Sequence, residues 1–368
     1  MARSKFVKNF ILLPLSKLYG FGVGVRNVMF KFHILRERSF DIPVISVGNI
    51  AVGGTGKTPH TEYIVNLLKY NYRVAVLSRG YKRKTRGFVL ATSRSTPNDI
   101  GDEPYQIYQK FGNEVTVAVC ENRCQGIEEL KKVDPDINLI ILDDGFQHRY
   151  VKPAINIVLT EFSKPVYEDK LMPLGRLRES KRSLNRADIV IVTKCPDKLL
   201  PLEYRILQEN LKLFPYQKLF FSRFVYPGLR PVFPENVNPK QIPTLNWLSH
   251  NDTLLALSGI ANPRPFVKFL KTHQARVKVK VFPDHHKFTR KDLAAIEDKF
   301  QQMPGENRFI ITTEKDAVRL ANNPYFPQHL KPYTFYQPIE VEFDDRAEEP
   351  FDFDLKKIIR DRNLNLGR

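Results

Sequence analysis

The residues best suited to chemistry in this chain form a glycine-rich turn that ends in a lysine and a threonine. An apolar run over Val44–Val47 precedes the turn, whose residues are Ala51, Val52, Gly53, Gly54, Thr55, Gly56, Lys57 and Thr58. Glycines let the backbone curl so that successive N–H groups face phosphate oxygens, while the lysine reaches the β- and γ-phosphates and the threonine hydroxyl reaches magnesium. Ala51 departs from the glycine usual at the first position of such a loop. The turn predicts binding of a nucleotide with Mg²⁺; an incidental glycine turn is the alternative.

A second pattern is an apolar run, Leu139–Leu142, that ends in the two carboxylates of Asp143 and Asp144. An acid placed directly after a buried strand is the arrangement that holds magnesium beside a phosphate loop. One aspartate is enough for the ion, which leaves the second free to position a nucleophile or a second ion. We therefore expect a magnesium site of Thr58, Asp143 and Asp144, and the residue types leave open which aspartate contacts the ion directly.

The elements that must position these residues alternate between strand-like and helix-like stretches. The predicted strands of the first part are Val44–Val47, Arg73–Leu77, Val115–Val119, Leu139–Leu142, Ile155–Leu159 and Ile189–Thr193. Such alternation indicates βαβ units and a mostly parallel sheet that binds ligands at the carboxyl ends of its strands. The predicted fold class is α/β, with a P-loop NTPase-type, mostly parallel sheet flanked by helices.

A second, smaller α/β domain is predicted after a cluster of prolines at 226–243, which indicates a hinge. Its predicted strands and helices are Leu254–Leu257, Pro265–Lys271, Val277–Phe282, Thr289–Phe300, Arg308–Thr313 and Glu314–Leu320. The length of 368 residues also favours two domains over one. The predicted organisation is an N-terminal segment (1–38), a P-loop domain (39–225), the smaller domain (226–344) and a charged C-terminal helix or tail (345–368).

The N-terminal segment is basic and amphipathic. Residues 1–38 carry eight lysines and arginines against one acid, Glu37, and aliphatic and aromatic residues stand between them. We expect Pro14 and the nearby glycines to break the segment, and no apolar run in it approaches the roughly 18 residues that read as a membrane span. The segment is predicted to lie on an anionic membrane surface. A helix packed on its own domain is the alternative.

Composition limits the classes of partner and the kinds of cysteine site that the chain can have. The formal net charge of +18 calls for an acidic partner, which could be nucleic acid, anionic lipid or a phosphorylated substrate. The three cysteines form no C-x-x-C pair, which argues against a disulfide framework and a structural zinc site.

Residues 143–149, Asp-Asp-Gly-Phe-Gln-His-Arg, together with the glycine-rich turn, resemble the tetraacyldisaccharide 4′-kinase family of lipid A biosynthesis. Further matching segments follow in order along the chain: 78–81, 101–104, 173–179, 282–286 and 312–317. Loops of this family commonly lack the first glycine. The resemblance implies transfer of the γ-phosphoryl group of ATP, with Mg²⁺, to the 4′-hydroxyl of a tetraacyldisaccharide 1-phosphate, which forms lipid IVA.

The resemblance also implies a place and partners. The protein would act as a peripheral or monotopic enzyme at the cytoplasmic face of the bacterial inner membrane, on an anionic glycolipid. The positive charge and the N-terminal segment suit that substrate. No nucleic acid and no obligate protein partner are implied. In this interpretation 39–225 is the kinase domain and 226–344 is a lid or substrate domain.

Catalytic roles carry over by matching motif. Lys57 would bind the phosphates, and Asp102 would be the catalytic base in a dyad with His285, with the adjacent His286 as the alternative. The two members of the dyad would meet only when the domains close over ATP. The resemblance assigns further residues to the cleft: Tyr81, Glu103, His148, Arg176, Arg178 and Glu179.

Two rival functions remain open from sequence. One is a P-loop ATPase with a regulatory or transport role, which would hydrolyse ATP without a lipid acceptor. The other is a nucleic-acid-binding protein, suggested only by the net charge, although the sequence shows no helix-turn-helix, zinc module or RNP-type aromatic pattern.

Overall fold

The computed structural model describes the backbone of residues 2–344, 346–347 and 349–366, and the side chains that lie between residues 11 and 362 of those ranges. The helices are α1 (Ala2–Lys31), α2 (Lys57–Leu68), α3 (Pro97–Ile100), α4 (Asp102–Phe111), α5 (Arg123–Val133), α6 (Pro201–Leu211), α7 (Arg264–Leu270), α8 (Arg290–Gln301), α9 (Glu314–Ala321) and α10 (Phe351–Leu366). Short 3₁₀ helices cover Gly112–Glu114, Lys181–Arg186, Pro234–Asn236, Pro239–Gln241, Leu245–Trp247 and Gln328–Tyr333. Within these ranges, no helix combines the length and the apolar character that a membrane crossing requires.

The strands form two sheets. They are β1 (Val44–Asn49), β2 (Val74–Ser78), β3 (Val89–Leu90), β4 (Thr116–Val119), β5 (Leu139–Asp143), β6 (Ile155–Glu161), β7 (Ile189–Thr193), β8 (Lys218–Val225), β9 (Arg230–Pro231), β10 (Thr253–Ser258), β11 (Arg276–Val281), β12 (Arg308–Thr313), β13 (Thr334–Gln337) and β14 (Glu340–Phe343). In the described part, one sheet runs β14-β8-β7-β6-β1-β5-β2-β4-β3 and the other runs β11-β10-β12-β13-β9. Every predicted strand is present, with ends shifted by at most two residues, and the predicted α/β class is confirmed.

The first sheet places the glycine-rich turn at its centre. Strand β1 lies between β5 and β6, parallel to both, and all of its residues are buried. A strand buried on both faces needs a mostly apolar sequence, which β1 and β5 supply. Two hydrophobic clusters pack on this sheet, one including Val158 and Leu184 and the other including Ile127. Because Val47 pairs with Asp143, the turn and the two aspartates leave the sheet at the same edge.

The contacts divide the chain into two compact units. The first consists of the residues up to Ser93, Ile107–Phe224 and the residues from Val341; the second consists of Arg94–Gln106 and Val225–Glu340. The division after residue 224 lies within one residue of the predicted hinge. The sequence, however, placed residues 94–106 in the first domain and separated the C-terminal tail. In the structure α10 packs in the first unit, where Phe351 meets Phe220 with ring centroids 5.2 Å apart.

Helix α1 is continuous, so the expectation that Pro14 and the glycines break the segment was wrong. Contacts with the rest of the first unit hold the helix. Ser16 donates a hydrogen bond to the carbonyl of Leu171 at 2.8 Å, and Tyr19 donates to the carbonyl of Arg178 at 2.8 Å. Gly20 lies so close to Leu171 that an added Cβ would approach its Cδ1 to 2.7 Å. Tertiary contacts thus override a weak local helix propensity.

Candidate functional site

The phosphate loop, residues 51–58, connects β1 to α2 and is held in a curled conformation. Gly53 and Gly56 have φ angles of 121° and 93°, which side chains rarely permit. The loop is tied down at Thr55, whose hydroxyl accepts a bond from Asn49 at 2.6 Å and whose carbonyl accepts one from Thr193 at 2.8 Å. These bonds fix the loop to the ends of β1 and β7.

The alanine at the first loop position has a structural explanation. Ala51 is buried and forms an antiparallel bridge with Leu177, and the next residue, Val52, donates its N–H to the carbonyl of Arg176 at 2.7 Å. Extended backbone of this kind does not require glycine. The departure from the usual motif therefore reflects an extra strand-like contact with residues 176–177, and the curl of the loop begins only at Gly53.

Lys57 and the acid pair lie close together at the start of α2. The Nζ of Lys57 is 3.8 Å from Oδ1 of Asp144, and Asp144 also lies 3.2 Å from Nη1 of Arg178. Asp144 adopts a positive φ of 53°, a strained conformation that occurs often at functional sites. Arg178 thus belongs to the same cluster as the lysine of the phosphate loop, as the family resemblance implied.

Asp143 is set deeper than Asp144 and is 2% exposed. Its Oδ1 accepts a hydrogen bond from Thr61 in the second turn of α2 at 3.1 Å. Among the described residues, no group of three or more histidine, cysteine and acidic side chains could hold a metal by itself. A magnesium ion bound by Thr58, Asp143 and Asp144 would therefore complete its shell with water and nucleotide oxygens, as this ion commonly does.

Arg123 is a site residue that sequence reasoning missed. It begins α5, is 4% exposed, and its Nε has no hydrogen-bond partner among the described residues. Burial and the charge of Arg79 lower the pKa of this guanidinium, although the charges of Asp144 and Asp143 oppose the shift. A buried cation beside two carboxylates, with a donor to spare, suits an anionic ligand. The only feature of the sequence that could have indicated Arg123 is its position just after β4, at the carboxyl edge of the sheet.

His148 lies beside Arg123 and accepts the backbone N–H of Arg123 at 3.4 Å. Burial, with the positive charges of Arg123, Arg26 and Arg79, lowers the pKa of His148 to about 4. The imidazole is therefore neutral at physiological pH. It can accept or donate a hydrogen bond there but adds no positive charge to the phosphate site.

The other predicted cleft residues of the first unit differ in their surroundings. Arg176 is neutralised by Asp169, with Nε 2.7 Å from Oδ2. Glu179 is 1% exposed and accepts bonds from Ser183 and Arg186 at 2.8 and 2.7 Å, an anchoring role inside the unit. Tyr81 is mainly exposed. Of the cleft residues predicted in this unit, Arg178 thus contacts Asp144 near the phosphate loop, and His148 lies beside Arg123.

The second unit brings together Asp102, Glu103 and His285. Nδ1 of His285 lies 3.1 Å from Oδ2 of Asp102, and Glu103 pairs with Lys315 at 3.0 Å. Both acids begin α4, and His285 follows β11 with a positive φ of 59°. The expectation that Asp102 and His285 meet only on domain closure was wrong, because residues 94–106 belong to the same compact unit as His285.

The adjacent histidine has a different partner. Nε2 of His286 lies 3.0 Å from Oδ2 of Asp292, and its ring stacks on Phe282 with centroids 4.6 Å apart. The structure therefore pairs Asp102 with His285, as predicted, and not with His286. Burial acts to raise the pKa of Asp102, but hydrogen bonds from His285 and Arg319, with the charges of Arg319 and Lys315, hold it well below its usual range.

Comparison with known proteins identifies the family. The profile of the family described as Tetraacyldisaccharide-1-P 4'-kinase matches residues 8–359, nearly the whole chain. The chain belongs to this family. Among relatives named Tetraacyldisaccharide 4'-kinase, that of Bacteroides thetaiotaomicron is 48% identical over 359 residues, 96% of this chain and 94% of that protein. That of Porphyromonas gingivalis W83 is 44% identical over 361 residues and covers 96% of both chains.

A solved structure agrees with the family assignment. The LpxK protein of Aquifex aeolicus, crystallised in complex with ATP, is 28% identical, with a TM-score of 0.71 over 98% of this chain and 99% of that one. The predicted family and fold are thus confirmed, and the chain is an ATP-dependent kinase that works with Mg²⁺ in lipid A biosynthesis. The kinase assignment replaces the two rival hypotheses, a regulatory or transport ATPase and a nucleic-acid-binding protein.

Proposed function

We propose that the chain transfers the γ-phosphoryl group of ATP directly to the 4′-hydroxyl of a tetraacyldisaccharide 1-phosphate, and that its named residues divide this task as follows. The single observation that best supports the proposal is the convergence of Lys57, Asp144 and Arg178 beside the phosphate loop. Two cations and a carboxylate at the carboxyl edge of a parallel sheet suit a magnesium nucleotide and its transferred phosphate.

Within the first unit, the loop amides and Lys57 would hold the β- and γ-phosphates, and Thr58, Asp143 and Asp144 would hold Mg²⁺. The bound ion supplies charge neutralisation across the phosphate oxygens. Arg178 is assigned to an anion of the reacting groups, because a planar guanidinium matches phosphate oxygens in pairs. Arg176 is not assigned this role, since Asp169 already binds its guanidinium. Arg123, with its spare Nε donor, is assigned to the same anionic ligand.

Asp102 and His285 are proposed as the groups that orient the acceptor hydroxyl and receive its proton. A sugar hydroxyl is almost wholly protonated at neutral pH, so a carboxylate and imidazole pair can take its proton as the new P–O bond forms. Their contact at 3.1 Å supports the pairing. Because phosphoryl transfer is a loose process, most of the acceleration is assigned to positioning and charge, and therefore to Lys57 more than to Asp102.

Helix α1 is proposed to seat the enzyme on the cytoplasmic face of the inner membrane as a peripheral protein. One face of α1 makes the hydrogen bonds described above, and the other leaves apolar side chains exposed: Ile11, Leu15, Leu18, Phe21, Val25 and Val28, followed by Phe32 directly after the helix. Their spacing of three and four residues puts them on one stripe. The net charge of +18 complements an anionic leaflet, and the packed face touches the backbone of Arg178. A membrane-embedded acceptor would thus approach near the phosphate site.

The dyad is tested by acceptor-dependent ADP release, measured with and without dispersed tetraacyldisaccharide 1-phosphate. We expect wild type to release ADP only with the lipid. Asp102→Asn and His285→Gln should lower the lipid-dependent rate on the order of 10²-fold, the usual size of a general-base contribution. His286→Gln is the matched control and should retain the rate. A fully active Asp102→Asn enzyme would refute the proposed role of Asp102, and lipid-independent ADP release would refute the transfer itself.

A further inference from the structure

Arg319, on α9 of the second unit, contacts two carboxylates at once. Its Nη1 lies 2.7 Å from Oδ1 of Asp316, and its Nη2 lies 2.7 Å from Oδ2 of Asp102. Only 8% of the arginine side chain is exposed. A guanidinium in this position cannot reach far into solvent, so its charge acts on the two acids that it joins and on His285, whose Nδ1 lies 3.2 Å from Nη2.

The end of the guanidinium near Asp316 is fixed to the sheet. Asp316 is fully buried and accepts the backbone N–H of Gly259 at 2.8 Å and the hydroxyl of Thr313 at 2.7 Å. Nη1 of Arg319 also donates to the carbonyl of Gly259 at 3.2 Å. Since Gly259 follows β10 and Thr313 ends β12, the planar fork is held by the carboxyl ends of two neighbouring parallel strands.

The other end of the fork determines how Asp102 is presented. Nε and Nη2 of Arg319 lie 3.1 and 2.7 Å from Oδ2 of Asp102, and Nδ1 of His285 lies 3.1 Å from the same oxygen. Within the described residues, the three side-chain hydrogen bonds to Asp102 all end on Oδ2. The two carboxylate oxygens are therefore unequal: the protein occupies Oδ2, and Oδ1 remains available to a ligand.

We propose that Arg319 is the positioning residue of the dyad, because it fixes Oδ2 of Asp102 and so presents Oδ1 to the acceptor hydroxyl. This inference rests on the proposed role of Asp102 in the reaction. Arg319 itself does not touch the substrate in this scheme. Lysine could not replace it fully, since an ammonium is a point charge and cannot bind both carboxylates with a planar fork.

A purely structural ion pair that ties α9 to the start of α4 is the competing explanation, and it makes different predictions. Loss of such a pair would lower stability and leave the chemistry of the folded enzyme unchanged. Loss of a positioning group would lower kcat in the folded enzyme and would change its pH dependence. The charged groups that face Asp102 are Arg319 and Lys315 of α9 and His285; Lys315 in turn pairs with Glu103.

The experiment measures kcat, both KM values, the pH profile of kcat and the melting temperature for Arg319→Gln and Arg319→Lys. Arg290→Gln, which removes an exposed arginine from α8 of the same unit, is the matched control. We expect Arg319→Gln to lower kcat by roughly 10²-fold, the effect of a small misplacement of a reacting group, with little change in either KM. The acidic limb of the pH profile of kcat should move to higher pH in Arg319→Gln, because removing the guanidinium raises the pKa of Asp102. Arg319→Lys should keep the wild-type acidic limb and recover part of kcat.

Arg319→Lys keeps the inference testable if the glutamine variant does not fold. A folded Arg319→Lys or Arg319→Gln enzyme with wild-type kcat and pH profile would overturn the inference. If Asp102→Asn is inactive while Arg319→Gln has wild-type kinetics, this inference alone fails. If Asp102→Asn is itself fully active, the proposed role of Asp102 fails first, so the two failures are distinguishable.

Discussion

His60 shows how a single buried side chain holds the phosphate loop. Its Nδ1 lies 2.7 Å from the carbonyl of Gly56, which can only accept, so Nδ1 carries the proton and Nε2 accepts from the hydroxyl of Ser222 at 2.9 Å. The ring thus joins the end of the loop to β8. Burial lowers the pKa of His60 to about 4, so the ring is neutral while the enzyme works.

This pKa predicts a pH dependence of stability. Between about pH 6.5 and 4 the unfolded chain binds a proton at His60 that the folded chain does not, so the free energy of unfolding falls as pH falls through this window. The contribution is about 3 kcal/mol for a shift of this size. The free energy of unfolding, measured with urea, should therefore fall less between pH 7 and pH 5 in His60→Gln than in wild type.

His148, whose pKa is also lowered to about 4, contributes in the same direction and remains in the variant. The dependence of the unfolding free energy on pH should therefore become weaker in the variant but should not disappear. An identical loss of stability in wild type and His60→Gln between the two pH values would contradict this account.

At the residue scale, the sequence predicts those site residues that belong to a local motif. Lys57 and Asp144 stand in patterns whose residue types reveal their chemistry, and both lie where those patterns predict. Arg123 and Arg319 were not predicted as site residues, because their partners come from other segments of the chain. Asp102 and Arg319 are 217 positions apart, and no periodicity in the sequence links them.

At the element scale, α1 is expected to bind anionic vesicles through its exposed apolar stripe. Leu18 and Phe21 are 68% and 70% exposed, so the substitutions Leu18→Asp and Phe21→Asp should leave packing intact while removing the apolar contact. Each fully buried side chain of this kind is worth roughly 1.5–3 kcal/mol, so each variant should bind vesicles roughly ten- to a hundredfold more weakly in cosedimentation. The matched control is Leu202→Asp on α6, where the leucine is 66% exposed.

If Leu202→Asp weakens vesicle binding as much as Phe21→Asp, the stripe on α1 is not the membrane contact. Equal binding to neutral and anionic vesicles would in turn remove the role assigned to the positive charge. Activity toward detergent-dispersed lipid should change little in the α1 variants, because the phosphate site itself is unaltered.

Burial separates most of the predicted strands from most of those missed, with two exceptions: β11 was predicted although none of its residues is buried, and β13 was missed although three of its four residues are buried. Strands β1, β2, β5 and β7 are buried along their whole length and have mostly apolar sequences. Strand β8 was missed, and it is buried only over Phe220–Ser222, with Lys218 and Arg223 toward its ends. The short strands β3 and β9 have two residues each, too few to show a period.

At the scale of the whole molecule, the sequence predicts two α/β parts joined near residue 225 but not the exchange of segments between them. Residues 94–106 belong with the second unit, and the residues from Val341 return to the first. No change in composition marks residues 94–106, and the charge of the C-terminal tail led to its prediction as a separate segment. The contacts that assign them, such as the bond of Tyr105 with Asn322 at 3.2 Å, join residues far apart in sequence.

The most direct test of the central claim is the fate of the γ-phosphate. Wild type, Lys57→Ala and the control Lys198→Ala, which removes an exposed lysine of the first unit, would be incubated with γ-³²P-ATP and dispersed tetraacyldisaccharide 1-phosphate. We expect wild type and Lys198→Ala to label the lipid with a phosphate that survives mild acid, as a 4′-ester does and the anomeric phosphate does not. Lys57→Ala should lose activity by on the order of 10²-fold or more, since the proposed role of Lys57 is to stabilise charge on the transferred group. Release of the label as inorganic phosphate, with no labelled lipid, would contradict the account.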